Sequence, residues 1–159
     1  MILEVWKEWE EQFGRKYEPI GAYRMKGAEV ALLTLGSMGD TAEVAVDELR
    51  DKGVKAGLLK MKLWRPFPAE ELIKAVKGLA SLAVIDRSAP FGGACGPVCA
   101  EVKAVLYDQK ERPSITNHII GLGGRDMVVG DFVKIVEQAI SARKKKPREA
   151  YEIYGVRGS

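Results

Sequence analysis

Two hydrophobic rhythms take turns along this chain. Ile2, Val5, Trp6, Trp9 and Phe13 share one stripe at helical spacing and Gly14 stops the run, so residues 1–14 read as an amphipathic helix. Residues 17–25 mix polar and apolar positions around Pro19 and Gly21 and suit an edge strand. Val30-Ala31-Leu32-Leu33-Thr34-Leu35 is a nearly unbroken apolar run, the mark of a strand covered on both faces. After a turn at Gly36-Ser37-Met38-Gly39, Asp40 or Thr41 can cap a helix that points Ala42, Ala45, Val46 and Leu49 inward and ends at Gly53. A strand over residues 55–63 sets Leu59, Met61 and Leu63 against Lys60 and Lys62, which leaves one face wet. Pro68 opens a helix with Leu72, Ile73, Val76 and Leu79 inside. Leu82-Ala83-Val84-Ile85 is the next strand, followed by a helix carrying Val98, Val102, Val105 and Leu106. A strand over 114–120 and a helix with Phe132, Val133, Val136 and Ile140 on one face complete the series.

Strands that alternate with helices of about 10–14 residues imply right-handed crossovers. The expected fold is a three-layer α/β/α domain with a mainly parallel sheet of about five strands. It occupies residues 15–142, between the N-terminal helix and a basic tail at 143–159. The chain of 159 residues is long enough for one such core.

Charge and composition exclude several classes. The net charge is +3, and the one dense basic cluster is Arg143-Lys144-Lys145-Lys146 with Arg148, which reads as a solvated tail rather than a nucleic-acid face. No run approaches the roughly 18 apolar residues of a membrane span. Glu4, Lys7 and Glu8 interrupt any secretory apolar segment, so a cytoplasmic protein is expected. Cys95 and Cys99 stand one residue further apart than a redox Cys-x-x-Cys pair, at the opening of a helix where a thiolate can be stabilised; two ordinary packed thiols are the simpler reading. With His118 they are too few for a zinc site. Ser37 and Ser88 have only His118 as a base, and it sits mid-strand among apolar residues, so no catalytic residue is assigned.

Ligands of an open parallel sheet sit beyond the carboxyl ends of its strands. Arg65, Arg87 and Arg125 lie in three of those loops and suit an anion or an acidic partner surface. Gly36, Ser37 and Gly39 resemble a phosphate cradle without its glycine fingerprint or Walker lysine, and close helix–strand packing accounts for them more simply. In Trp64-Arg65-Pro66-Phe67-Pro68 two prolines fix the backbone. Trp64 and Phe67 are there either as interface anchors or as parts of a stiff connection with Phe67 in the core.

Gly14-Arg15-Lys16-Tyr17, Leu35-Gly36-Ser37, the run LRDKGVKAGLLK at 49–60, Arg65-Pro66-Phe67-Pro68, Asp86-Arg87-Ser88 and Gly121-Leu122-Gly123-Gly124-Arg125-Asp126 follow one another in order. Over residues 14–140 the chain thereby resembles the alpha subunit of pyruvate:ferredoxin oxidoreductase and its relatives, in the domain that follows the pyrimidine-binding domain. That domain is similar to the C-terminal domain of transketolase. The resemblance implies an enzyme that converts a 2-oxoacid and CoA to acyl-CoA, CO2 and reduced ferredoxin with thiamine diphosphate, Mg and iron–sulfur clusters. It implies none of these cofactors for this chain, which lacks the Gly-Asp-Gly diphosphate motif and any Cys-x-x-Cys ligands. Assembly with other subunits is what it implies, with Trp6, Trp9, Phe13, Trp64 and Phe67 as docking residues and self-association of the isolated chain as a consequence. The run DRSAPFGGACGP at 86–97 resembles the pyruvate and branched-chain enzymes rather than the 2-oxoglutarate ones. A free-standing module that binds CoA or another phosphorylated molecule, through the three arginines and Gly36–Gly39, is the alternative. A thiol redox protein built on Cys95 and Cys99 is a weaker one.

Overall fold

The structure is a computed structural model that describes residues 1–144 and 150–155. Its elements in chain order are α1 (Ile2–Phe13), β1 (Ile20–Tyr23), β2 (Val30–Leu35), α2 (Met38–Asp51), β3 (Ala56–Met61), α3 (Ala69–Ala75), β4 (Ser81–Asp86), α4 (Pro97–Leu106), β5 (Ser114–Ile119), α5 (Val129–Ser141) and β6 (Glu152–Ile153), with a single 3-10 turn at Leu122–Gly124. The strands form one sheet in the order β1-β3-β2-β4-β5-β6. All pairings are parallel except β1 on β3.

Period-two side chains split the core in two. Ala31, Leu33, Leu59, Met61, Leu82 and Val84 point to the face covered by α3 and α4, against Leu72, Val102 and Leu106. Val30, Leu32, Ala56, Leu58, Ala83 and Ile85 point to the opposite face, where Ala45, Val46 and Leu49 of α2 and Phe132, Ile135 and Val136 of α5 close over them. Strands buried on both faces need unbroken apolar runs, which is why β2 reads VALLTL and β4 SLAVID.

Two local expectations change. The sheet has six strands, because residues 152–153, within the stretch read as tail, add to β5 through His118↔Glu152 and Ile119↔Ile153. Arg143, at the head of the basic cluster, is also part of the fold: its Nε donates to Ser81 Oγ at 2.7 Å and its Nη2 to the Glu29 carbonyl at 2.7 Å. Lys145, Lys146 and Arg148 lie outside the described residues.

The other change is at the start of α2. Neither Asp40 nor Thr41 caps it; the helix begins at Met38, after Gly36 turns the chain at φ 80°. Asp40 lies in the first turn, where it and Glu43 accept from Lys60 Nζ at 3.0 and 2.7 Å. Lys60 reaches them by passing directly beneath Gly39, where a Cβ would stand 2.5 Å from its Cδ.

The chain leaves β2 toward β3 on one side and returns to β4 on the other. The switch point of the topology therefore lies beyond the carboxyl ends of β2 and β4, where an open α/β sheet has its crevice.

Candidate functional site

At that crevice the turn after β2, the end of β4 and the loop after β5 converge. A Cβ on Gly121 would lie 2.8 Å from Met38 Cε, 3.2 Å from Arg87 Nε and 3.4 Å from the Arg125 carbonyl, so these residues meet over a backbone that must be glycine. Arg87 Nη2 reaches the Gly121 carbonyl at 3.5 Å, and the Arg125 side chain lies along Gly155, just after β6. A shallow cavity of about 430 Å³ opens here between Arg125, Asp126, Met127, Asp131, Tyr154 and Gly155. Arg87 and Arg125 are exposed and form no ion pair among the described residues. The loop from Arg87 also holds Phe91 fully exposed, and exposed Leu35 ends β2 while exposed Leu122 and Val128 lie in the segment between β5 and α5. Two of the three loop arginines thus share this edge.

Arg65 does not join them. Its Nη2 pairs with Glu101 Oε1 of α4 at 2.7 Å, its Nη1 donates to the Trp64 carbonyl, and the guanidinium stacks over the Trp64 ring at 4.5 Å. Trp64 and Phe67 meet edge to face at 5.6 Å and are half-buried against the core beneath α3 and α4. At Gly36, Ser37 and Gly39, the helix start carries Asp40 and Glu43, and the lysine beside it is already paired to both. An anion would meet carboxylates there, and Gly39 is accounted for by the passage of Lys60.

A buried polar cluster stands behind the loop at Asp86. Its Oδ1 accepts from the Val98 N–H at 2.7 Å, and its Oδ2 from the Cys99 N–H at 3.2 Å and Asn117 Nδ2 at 2.8 Å; Asn117 Oδ1 in turn accepts from the Gly96 N–H at 2.8 Å. Helix α4 opens on Gly96-Pro97 with no capping side chain of its own, and the β4 carboxylate supplies the acceptor from 12 residues away. A Cβ on Gly96 would overlap that carboxylate at 2.2 Å. The sequence held one sign of this: a helix start without a cap residue leaves N–H donors that need a partner from elsewhere.

Cys95 and Cys99 are both buried and free. Burial pushes the Cys99 thiol up to about 12, with the nearby Cys95 and Asp86 adding to the rise, so the helix start does not make it a thiolate. His118 is buried too. Its Nε2 meets Thr116 Oγ1 at 3.0 Å, its Nδ1 has no hydrogen-bond partner, and burial lowers its pKa to about 4. Neither Ser37 nor Ser88 hydrogen-bonds to it. Among the described residues no group of three or more His, Cys, Asp or Glu could hold a metal ion, and no helix is long and apolar enough to cross a membrane.

Helix α1 has an acidic polar face, an apolar stripe and no buried residue. Trp9 stacks on Phe13 at 4.3 Å and Trp6 on Tyr17 at 6.0 Å, yet Trp9 and Phe13 remain 42% and 58% exposed.

Residues 28–132 match the sequence profile described as pyruvate:ferredoxin oxidoreductase core domain II. The chain belongs to that family. It is similar to pyruvate synthase subunit PorA of Thermotoga maritima, with 41% identity over 148 residues, 93% of this chain and 38% of the relative. The alpha subunit of NADH-dependent phenylglyoxylate dehydrogenase of Aromatoleum evansii is 40% identical over 87% of this chain and 33% of its own length. Ketoisovalerate oxidoreductase subunit VorA of Pyrococcus abyssi is 39% identical over 86% and 35%. The chain thus spans little more than a third of these curated relatives. Among solved structures, a split-gene transketolase, described as an inactive beta4 tetramer, shares the fold at TM-score 0.62 and 19% identity over 81% of this chain and 44% of its own. The 2-oxoglutarate:ferredoxin oxidoreductase of Magnetococcus marinus shares it at TM-score 0.57 and 19% identity, over 84% and 21%. This core domain II is the three-layer, mostly parallel architecture read from the sequence, with one strand more.

Proposed function

We propose that this core domain II is a non-catalytic, subunit-assembling part of a 2-oxoacid:ferredoxin oxidoreductase that converts a 2-oxoacid and CoA to acyl-CoA, CO2 and reduced ferredoxin. The observation that carries the reading is α1. A helix with two tryptophans and a phenylalanine on one stripe is attached to a domain whose two cores close without it. Its exposed Leu3, Val5, Trp9 and Phe13 amount to roughly 300 Å² of apolar surface, on the order of several kcal/mol at about 25 cal/mol per Å². Such a surface on a family subunit is suited to a neighbouring subunit or domain. Arg87 and Arg125 at the carboxyl edge, with the exposed Phe91 in the loop that follows Arg87, supply a second contact of the kind interfaces use.

The cofactors of the parent enzyme belong elsewhere in it. Two cysteines cannot by themselves supply the four thiolates of a cluster. This chain binds and orients neighbours; thiamine diphosphate, Mg and iron–sulfur chemistry are supplied by other parts. The substrate we assign is pyruvate or a branched-chain 2-oxoacid, on the resemblance carried by residues 86–97. Relatives named for pyruvate and ketoisovalerate agree with it, and the relative named for phenylglyoxylate is equally similar at 40% identity.

The test is sedimentation of the isolated chain beside a Trp6→Gln, Trp9→Gln double variant. Concentration-dependent self-association that the double variant loses, with an unchanged thermal midpoint, is the expected result. A monomeric parent chain and an unfolded double variant would place α1 in this domain's own core and remove the support.

A further inference from the structure

Among the described residues the first half of β5 is an open sheet edge: residues 114–117 pair with β4 alone, and β6 takes up His118 and Ile119. The ladder fixes which way each residue turns. Ser114 donates its N–H to the Ala80 carbonyl and Ile120 to the Asp86 carbonyl, so even-numbered residues direct their backbone groups toward β4. The Ile119 carbonyl accepts from the Tyr154 N–H, so odd-numbered ones face the other way. Both backbone groups of Ile115 and the N–H of Asn117 therefore point away from β4, with no strand beside them among the described residues. An unpaired edge of this kind is a template for another extended chain.

This edge floors a cavity of about 910 Å³, walled by Leu106 and Tyr107 at the end of α4 and by Tyr151 ahead of β6. Its rim is basic: among the described residues Lys103, Arg112 and Arg143 line it, with Glu152 as the single carboxylate. Arg112 bonds the Leu106 and Tyr107 carbonyls and Arg143 the Ser81 hydroxyl and Glu29 carbonyl, so both are held in place, and neither forms an ion pair among the described residues. Lys103 forms no ion pair among the described residues.

We propose that this edge receives an extended, acidic segment of a partner polypeptide, added to the sheet as a short strand beside Ile115 and Asn117. The open backbone requires an extended occupant, and the cationic rim selects its charge. A second copy of this chain is a poor occupant. Pairing two β5 edges would set Lys103, Arg112 and Arg143 of one copy against the same residues of the other, and pairing β5 with the free edge of β1 would run head to tail without closing.

The experiment uses the full, isotope-labelled chain and a blocked Glu-Val-Glu-Val-Glu peptide, with Lys-Val-Lys-Val-Lys and inorganic pyrophosphate as comparison probes. The acidic peptide is expected to shift the amides of Ile115 and Asn117 and protect them from exchange, and to bind more weakly as salt rises. Lys103→Glu should weaken it by about threefold or more. Ile115→Pro, which deletes an outward N–H and leaves the β4 ladder intact, should abolish the protection without changing the circular dichroism. The proposal is overturned if the basic peptide binds as well, or if neither binds at about 1 mM. It is equally overturned if pyrophosphate saturates the same amides, if they are already protected in the free chain, or if the chain dimerises through them.

Discussion

Acid should destabilise this domain through one imidazole. His118 is 3% exposed, bonded only to Thr116, and its pKa falls from 6.5 to about 4 because burial penalises the charged ring. Glu152, with Oε2 4.0 Å from Nδ1, is half-exposed and offsets little of this. The unfolded chain takes up its proton near pH 6.5 and the folded chain only near pH 4. Between these values the unfolded state holds more protons, so stability is full above the window and falls as pH drops through it. The whole shift corresponds to about 3 kcal/mol, a large share of the stability of a domain this size. Urea unfolding at several pH values between 7 and 4 measures it, with His118→Leu as reference, since other carboxyls titrate in both proteins. The wild-type chain should lose about 3 kcal/mol more than the variant across the window. Parallel losses in the two proteins, or a His118 ring that titrates near 6.5 in the folded state, would refute the reasoning.

Other outcomes follow from the same geometry. Asp86→Ala strands the Val98 and Cys99 N–H groups in the core and should cost about 2–4 kcal/mol in urea unfolding, whereas a surface change such as Glu70→Ala stays within about 0.5 kcal/mol. Gly39→Ala meets the aliphatic stem of Lys60 and should destabilise by about 1–2 kcal/mol, and adding Lys60→Ala should recover part of the loss in a double-mutant cycle. Cys99, buried with its thiol raised, should resist alkylation at neutral pH until the chain is unfolded; modification at the rate of a free thiol would contradict its burial.

The layers of the fold were legible because each strand and helix announces its own period. VALLTL reads as a two-faced strand and Leu82–Ile85 as a strand from their apolar runs, and Ala42, Ala45, Val46 and Leu49 show the inward face of α2. What escaped was set by distant partners. Glu152 and Ile153 form a strand only because β5 offers an edge, and nothing in two residues signals that. Asp40 has the chemistry of a cap, but Lys60, 20 residues on, draws it into an ion pair in the first turn. The three loop arginines look alike in the sequence, and only the packing of Glu101 on α4 separates Arg65 from Arg87 and Arg125. Asp86 reads as a loop residue until Gly96 and Asn117 close around it. The open half of β5 is likewise a property of the whole sheet.

The most direct test of the assembly reading is to titrate this chain into the remaining polypeptides of the same organism's oxidoreductase and follow ferredoxin reduction with pyruvate and CoA. No turnover by the chain alone, activity that rises with added chain until saturation, and a higher concentration required by the Trp6→Gln, Trp9→Gln variant are the predicted results. Turnover by the chain alone, or full activity of the remaining polypeptides without it, would contradict the account.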